Sequence, residues 1–143
     1  MAIGSVVLTP GSAYSVPGAL DLSGEMPAES EWTARVALGI AGSAAQITPP
    51  VLLVLTGAAA AHAPYLGFAQ RSARRAVGGY VLVDPVLPRP GAVSDWPDAP
   101  VTVVITALAD DDTRSAALGA RLRGWEVLEG DASALITDIA ARP

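Results

Sequence analysis

The chain reads as a single α/β domain, residues 1–143, built on a parallel sheet of about five or six strands with helices on both faces. Three observations predict it. Short β-branched or aliphatic runs alternate with stretches of about a dozen residues that carry helical periodicity, the pattern of βαβ units. The run Val51–Leu55 is apolar at every position, as a strand covered on both faces must be. At 143 residues the chain has the length of one ordinary domain and can bury roughly two-thirds of its unfolded surface without staples.

In chain order, Ser5–Leu8 with Thr9 is a strand stopped by the turn Pro10-Gly11. A second, weaker strand lies within Gly18–Leu22, before the loop Ser23–Pro27. Glu29 to Gln46 carries helix signals, with acids in the first turn and Trp32, Val36 and Ile40 at i, i+4 and i+8. Pro49-Pro50 ends that unit, and Val51–Leu55 is the clearest strand. A helix is expected from Gly57 to Ala76, with Gly78-Gly79 as its stop, then a strand Tyr80–Val83 closing at Asp84-Pro85. Leu87–Pro100 is a proline-rich loop. Val101–Ile105 is a strand, and Asp111–Arg123 a helix with Asp110 or Asp111 as N-cap. Trp125–Leu128 is the last strand, and Asp131 opens a closing helix to Ala141.

Composition excludes whole classes of function. Without cysteine there are no disulfides, iron–sulfur clusters or thiolate zinc sites. His62 is the only histidine, so a metal site would lean on carboxylates; neither metal nor cofactor is expected. A net charge of −5 and a pI near 4.6 lack the basic footprint of a nucleic-acid binder. Arg71, Arg74 and Arg75 cluster late in a helix, where they favour its C-terminus. Lysine is absent, which also excludes a phosphate loop of the GxxxxGK[ST] type. Asparagine is absent too. Codons for both residues are A-rich, so a G+C-rich bacterial genome is the simplest cause.

Mean hydropathy is high at +0.41, and no charge falls between Arg35 and Arg71. A membrane span needs ~18 unbroken apolar residues. Gly39, Gly42, Pro49, Pro50, Gly57, Pro64 and Gly67 interrupt this stretch, and a doubly covered strand explains its apolarity, so no transmembrane span is expected. The start MAIGSVVLTPG has neither a basic region nor a long apolar core, so the expected location is cytoplasmic.

The segment PVLLVLTGAAAAHAP (Pro50–Pro64) is a buried strand, a turn of small residues and a helix; GGYVLVDPVLPRPG (Gly78–Gly91) follows as the next strand and loop. With Val6–Gly11 before them, and DAPVTVVITALADDD and RGWEVLEGDASALITD after, these segments resemble the α/β-hydrolase superfamily. The resemblance covers most of the chain from Ser5 onward and implies a minimal domain without a cap, the first strands and one early helix. It implies that the loop after Val6–Gly11 supplies an oxyanion-hole amide, that the loop after Val101–Ile105 carries the acid, and that the histidine follows the last strand. Members of that superfamily place a serine on a small–x–Ser–x–small elbow, a strained turn that exposes Oγ. Here Gly57 occupies that position, between Thr56 and Ala58, and Ala132 falls where the histidine would be. Acids remain at Asp110, Asp111 and Asp112, but an acid alone cannot run the triad.

The expected crevice lies at the strand carboxyl ends, near the switch point of the sheet. Gly11, Ser12, Thr56, Gly57 and Ala58 are its ligand-binding candidates, with Tyr65 three residues beyond His62 on the same helix face; the bland alternative makes them ordinary loop tips and core. Catalytic candidates are His62, Asp84, Asp110 and Asp111. His62 reads either as a general base or as a half-buried helix residue satisfied by a carbonyl or water. Asp84 reads as a pocket acid or a turn residue. Asp110 and Asp111, with Asp112, read as acids that hold a cation or crowd one carboxyl's pKa upward, or as a solvated first helical turn that complements the helix dipole.

Two functions compete. One is a non-hydrolytic enzyme, or accessory enzyme subunit, of isomerase, epimerase or cyclase type, acting on a small molecule or peptide in bacterial specialised metabolism. The other is a catalytically dead partner protein working as a homo- or hetero-oligomer through apolar surface left bare by the missing helix. An ordinary serine esterase ranks third.

Overall fold

Six runs of β-branched and aliphatic residues lie side by side, and all five pairings are parallel. In the computed structural model, which describes residues 2–143, the strands are β1 (Ser5–Leu8), β2 (Leu20–Asp21), β3 (Val51–Thr56), β4 (Val77–Val83), β5 (Val101–Ile105) and β6 (Glu126–Glu129). The helices are α1 (Trp32–Gly42), α2 (Ala63–Ser72), α3 (Asp111–Leu122) and α4 (Ala132–Ala140). The open sheet runs β2-β1-β3-β4-β5-β6, an α/β architecture with helices on both faces.

The chain steps from β1 to β2 in one direction, then crosses back to β3 and continues outward to β6. Right-handed crossovers require those two directions to use opposite faces. Accordingly α1, α2 and α3 pack with Leu53, Leu55, Tyr80 and Leu82 on one side. On the other, Val16 from the β1–β2 connection joins Ile136 and Ile139 of α4 over Leu52, Val54, Val81 and Val83. Successive residues of β3 therefore enter different cores, which is why the strand has no polar face. The predicted stripe Trp32, Val36 and Ile40 is the buried edge of α1.

The largest departures from the sequence-based boundaries lie around α2, and β4 begins at Val77 instead of Tyr80. After β3 the chain makes a 3₁₀ helix, Gly57–His62, before α2, and α2 ends at Ser72 rather than near Ala76. Arg74 takes φ +58 and the Arg75 amide donates to the Gln70 carbonyl, closing the helix. Gly78-Gly79, expected as the stop, lie inside β4. A Cβ on Gly78 would sit 2.5 Å from Ile3 Cδ1, and one on Gly79 3.0 Å from Leu52 Cδ1. Neighbouring side chains occupy the space, and the register shift between Val51 and Leu52 skips Gly78.

The connection from β4 to β5 has no helix. Trp96 fills that place, edge-on to Tyr80 at 5.3 Å and to Trp125 at 5.6 Å. Capping settles the choice at α3: the Thr113 amide donates to Asp110 Oδ1 at 2.7 Å, and the Ala134 amide to Asp131 Oδ2 at 3.0 Å at α4. The apolar sheet face expected to be bare is covered. Val6, Leu8, Leu52, Val54, Val81 and Val83 are all buried beneath Val16, Tyr14, Ala19 and α4. A loop substitutes for the helix there. Among the described residues no helix is long and apolar enough to cross a membrane.

Candidate functional site

Because the connections leave β1 and β3 on opposite faces, a crevice opens beyond the carboxyl ends of the strands. Gly57 stands at the end of β3 with φ +60, and a Cβ built there would meet nothing within 4 Å. The turn thus has the left-handed backbone of an exposed elbow and carries no side chain. On its Thr56 side lies a groove of about 580 Å³, floored by Thr56, Val83, Asp84 and Thr106 and walled by Tyr14, Leu108 and Ala132. On its Ala58 side lies a smaller cleft of about 330 Å³ lined by Met26, Glu29, Trp32 and His62.

The candidate polar residues divide between these places. Asp84 is in the groove. It takes φ +44, a conformation Asp tolerates better than most residues. Thr106 holds it twice, the backbone amide donating to Oδ1 at 2.9 Å and Oγ1 donating to Oδ2 at 2.5 Å. A carboxylate accepts about four hydrogen bonds, so acceptor capacity remains. His62 belongs to the cleft, stacked on Trp32 at 4.9 Å with its Nδ1 3.4 Å from Thr33 Oγ1. It lines none of the surface that Asp84 lines, so the two do not form one constellation.

Asp110 and Asp111 are exposed and lie outside the groove. The Thr113 amide holds the Asp110 carboxyl below its ordinary range, as a helix cap does. Crowding, which would raise a carboxyl, does not dominate there. Beyond β5 the groove is lined by Thr106, Ala107 and Leu108 instead. Gly11 lies between the two depressions, where a Cβ would be 3.0 Å from Met26 Cε and 3.8 Å from the Thr56 carbonyl oxygen. Ser12 donates to the Thr9 carbonyl at 2.9 Å. Tyr65 is exposed on the outer face of α2 and lines neither depression.

Three polar groove residues were not among the site candidates: Tyr14, Thr106 and Asp131, the last expected only to open the closing helix. Tyr14 pairs its hydroxyl with Thr56 Oγ1. Burial pushes its phenol above the ordinary tyrosine range, and the negative charge of Asp84 adds to the effect despite hydrogen bonds from Thr56 and Ser12. The phenol is therefore protonated, a donor, at neutral pH. Thr106 directly follows β5 and positions Asp84. The available signal was topological: Tyr14 and Thr106 sit shortly after a parallel strand ends, where pockets form.

Comparison of the chain with protein-family models, with curated proteins and with solved structures finds no match. The chemistry of the groove thus carries the functional argument. A cavity of about 260 Å³ lies at the opposite, amino ends of the strands, away from the crevice where ligands of an open α/β sheet bind. Asp98 accepts from Tyr80 and Arg142 pairs with Glu126. Among the described residues no group of three or more His, Asp or Glu is arranged to hold a metal ion.

Gly57→Ser is expected to cost about 1–2 kcal/mol, the penalty of an L-residue in left-handed backbone, with no steric addition. A urea midpoint shift measures it. The variant should leave p-nitrophenyl butyrate intact, since no imidazole lines the groove. Ester turnover by the variant would show that His62 or another base reaches position 57.

Proposed function

We propose that this protein is a non-hydrolytic α/β-hydrolase-like enzyme that binds a small, mainly apolar molecule in the groove beside Gly57 and rearranges it by proton transfer. Isomerisation, epimerisation and cyclisation belong to this class. The observation that carries the reading is the elbow at Gly57, left-handed, open and stripped of its nucleophile, next to a groove that retains Asp84 and Tyr14. The all-parallel sheet and the strand–turn–helix after β3 support the superfamily resemblance. Apolar walls with a few convergent polar groups suit a small ligand, and the volume lies within the usual 300–1,000 Å³.

The test is an amide NMR titration with 2-naphthol, a planar apolar phenol. Shifts should cluster at Thr56, Asp84, Thr106 and Ala132, and a serine-directed fluorophosphonate should label nothing. Labelling would restore the esterase reading. No shifts, or shifts confined to the His62 cleft, would remove the groove as the site.

A second reading, an inert partner protein, is favoured by exposed apolar side chains on the helices: Leu38 on α1, Tyr65 and Phe68 on α2, Leu118 and Leu122 on α3. Naphthol shifts at Tyr65 and Phe68, with an oligomer in light scattering, would move the assignment there.

A further inference from the structure

We infer that the substrate is an enolisable ketone of ring size, with Tyr14 donating a hydrogen bond to its carbonyl oxygen while Asp84 moves the proton on the adjacent carbon. The inference rests on the groove reading and deepens it. Tyr14 enters from the loop after β1, and Asp84 and Thr106 follow β4 and β5, so donor and acceptor line one groove from different elements. Thr106 occupies both oxygens of Asp84 from its own strand end, which fixes the carboxylate yet leaves lone pairs free. Thr56 holds the Tyr14 hydroxyl. The remaining lining is Ala13, Val83, Ala107, Leu108, Gly130 and Ala132, which contribute carbon and backbone surface, together with the exposed Asp131, whose carboxylate caps α4 by accepting from the Ala134 amide at 3.0 Å. Such a set recognises a flat hydrocarbon body with one acceptor oxygen.

The step balances without a co-reactant. Asp84 takes the proton as the C–H bond breaks, and that electron pair becomes the carbon–carbon double bond. The carbonyl π pair moves to oxygen, where Tyr14 stabilises the developing charge. Return of the proton from Asp84 to a conjugated carbon on the same face gives an isomer of the same formula and restores the carboxylate; in deuterated buffer the proton held on Asp84 exchanges with solvent first, so return to the original carbon delivers deuterium. The thermodynamic setting agrees, because a partly buried phenol beside an anion stays protonated and so remains a donor.

The experiment follows loss of the C1 proton signal of 2-tetralone in deuterated buffer by NMR, using the full chain. The protein should accelerate exchange over buffer. Tyr14→Phe should keep ketone binding and slow exchange by roughly 10²-fold, the usual loss for one oxyanion donor. Asp84→Asn should return exchange to the buffer rate. Thr106→Val, which leaves both groove groups in place, should slow exchange less than Asp84→Asn does. If 2-naphthol shifts the groove amides while the wild-type protein exchanges 2-tetralone no faster than buffer, the inference is overturned and the groove reading stands. If neither compound binds there, both fall. Acceleration unchanged in Tyr14→Phe and Asp84→Asn also overturns it.

Discussion

Trp32→Ala is expected to lose about 3–5 kcal/mol of unfolding free energy, the usual cost of emptying a large aromatic site. Trp32 is 2% exposed and begins α1, where it joins Val36 and Ile40 in the core beneath the sheet. Against a typical total of about 5–15 kcal/mol, that loss leaves a marginal fold. The indole Nε1 has no hydrogen-bond partner, so little of the effect is polar. Trp32→Phe should accordingly cost less than half as much. Urea midpoints of the two variants make the comparison. A Phe variant as unstable as the Ala variant would show that the indole N–H, and not volume, holds this corner together. The Ala variant also removes the ring on which His62 stacks, which ties the cleft to the core.

Gly67→Ala is expected to destabilise by about 2–4 kcal/mol, although the same change in an exposed helix gains about 1 kcal/mol. Gly67 faces the sheet from α2, and a Cβ there would lie 2.0 Å from Tyr80 Oη and 3.0 Å from Cζ. Tyr80 cannot retreat freely. It is buried, packs edge-on against Trp96, and donates to Asp98 Oδ1 at 2.7 Å. Burial first, then Asp98, holds its phenol protonated well above the ordinary range, so that donor is permanent. Overpacking costs ~1–3 kcal/mol, and losing a hydrogen bond to a carboxylate ~1.5–3 kcal/mol. Together they outweigh the helix gain. Adding Tyr80→Phe to Gly67→Ala removes the closest atom, so the double variant should lose less than the sum of the singles. A thermal or urea series reads the coupling. A stabilised Gly67→Ala would mean that α2 stands further from β4 than the 2.0 Å approach implies.

Much of the architecture was legible because its causes are local or periodic. Val101–Ile105 begins and ends where the β-branched run does, and Val51–Thr56 extends the predicted run by one residue. The cap at Asp131 was legible and that at α3 was narrowed to Asp110 or Asp111, because such side chains satisfy amides three residues on; the structure selects Asp110. The end of α2 was misplaced because Gly78-Gly79 looks like helix punctuation, while in the fold the absent side chains admit Ile3 and Leu52. Among the site candidates, Asp84 and Thr56 line the groove beside the open turn at Gly57, and His62, Asp110, Asp111 and Tyr65 do not. His62 follows the elbow by five residues, yet the 3₁₀ turn carries it towards Trp32 rather than towards the groove.

Alternation of apolar runs with amphipathic stretches is enough to dictate a parallel sheet with helices on both faces, since burial free energy depends on the spacing of residues in a single segment. Which polar groups meet is a different matter. Thr106 reaches Asp84 across 22 residues and Tyr14 reaches Thr56 across 42, because strand order and crossover hand bring the ends of β3, β4 and β5 beside the loop after β1. No local preference encodes those meetings. They arise only once the sheet is assembled, and the groove exists only with them.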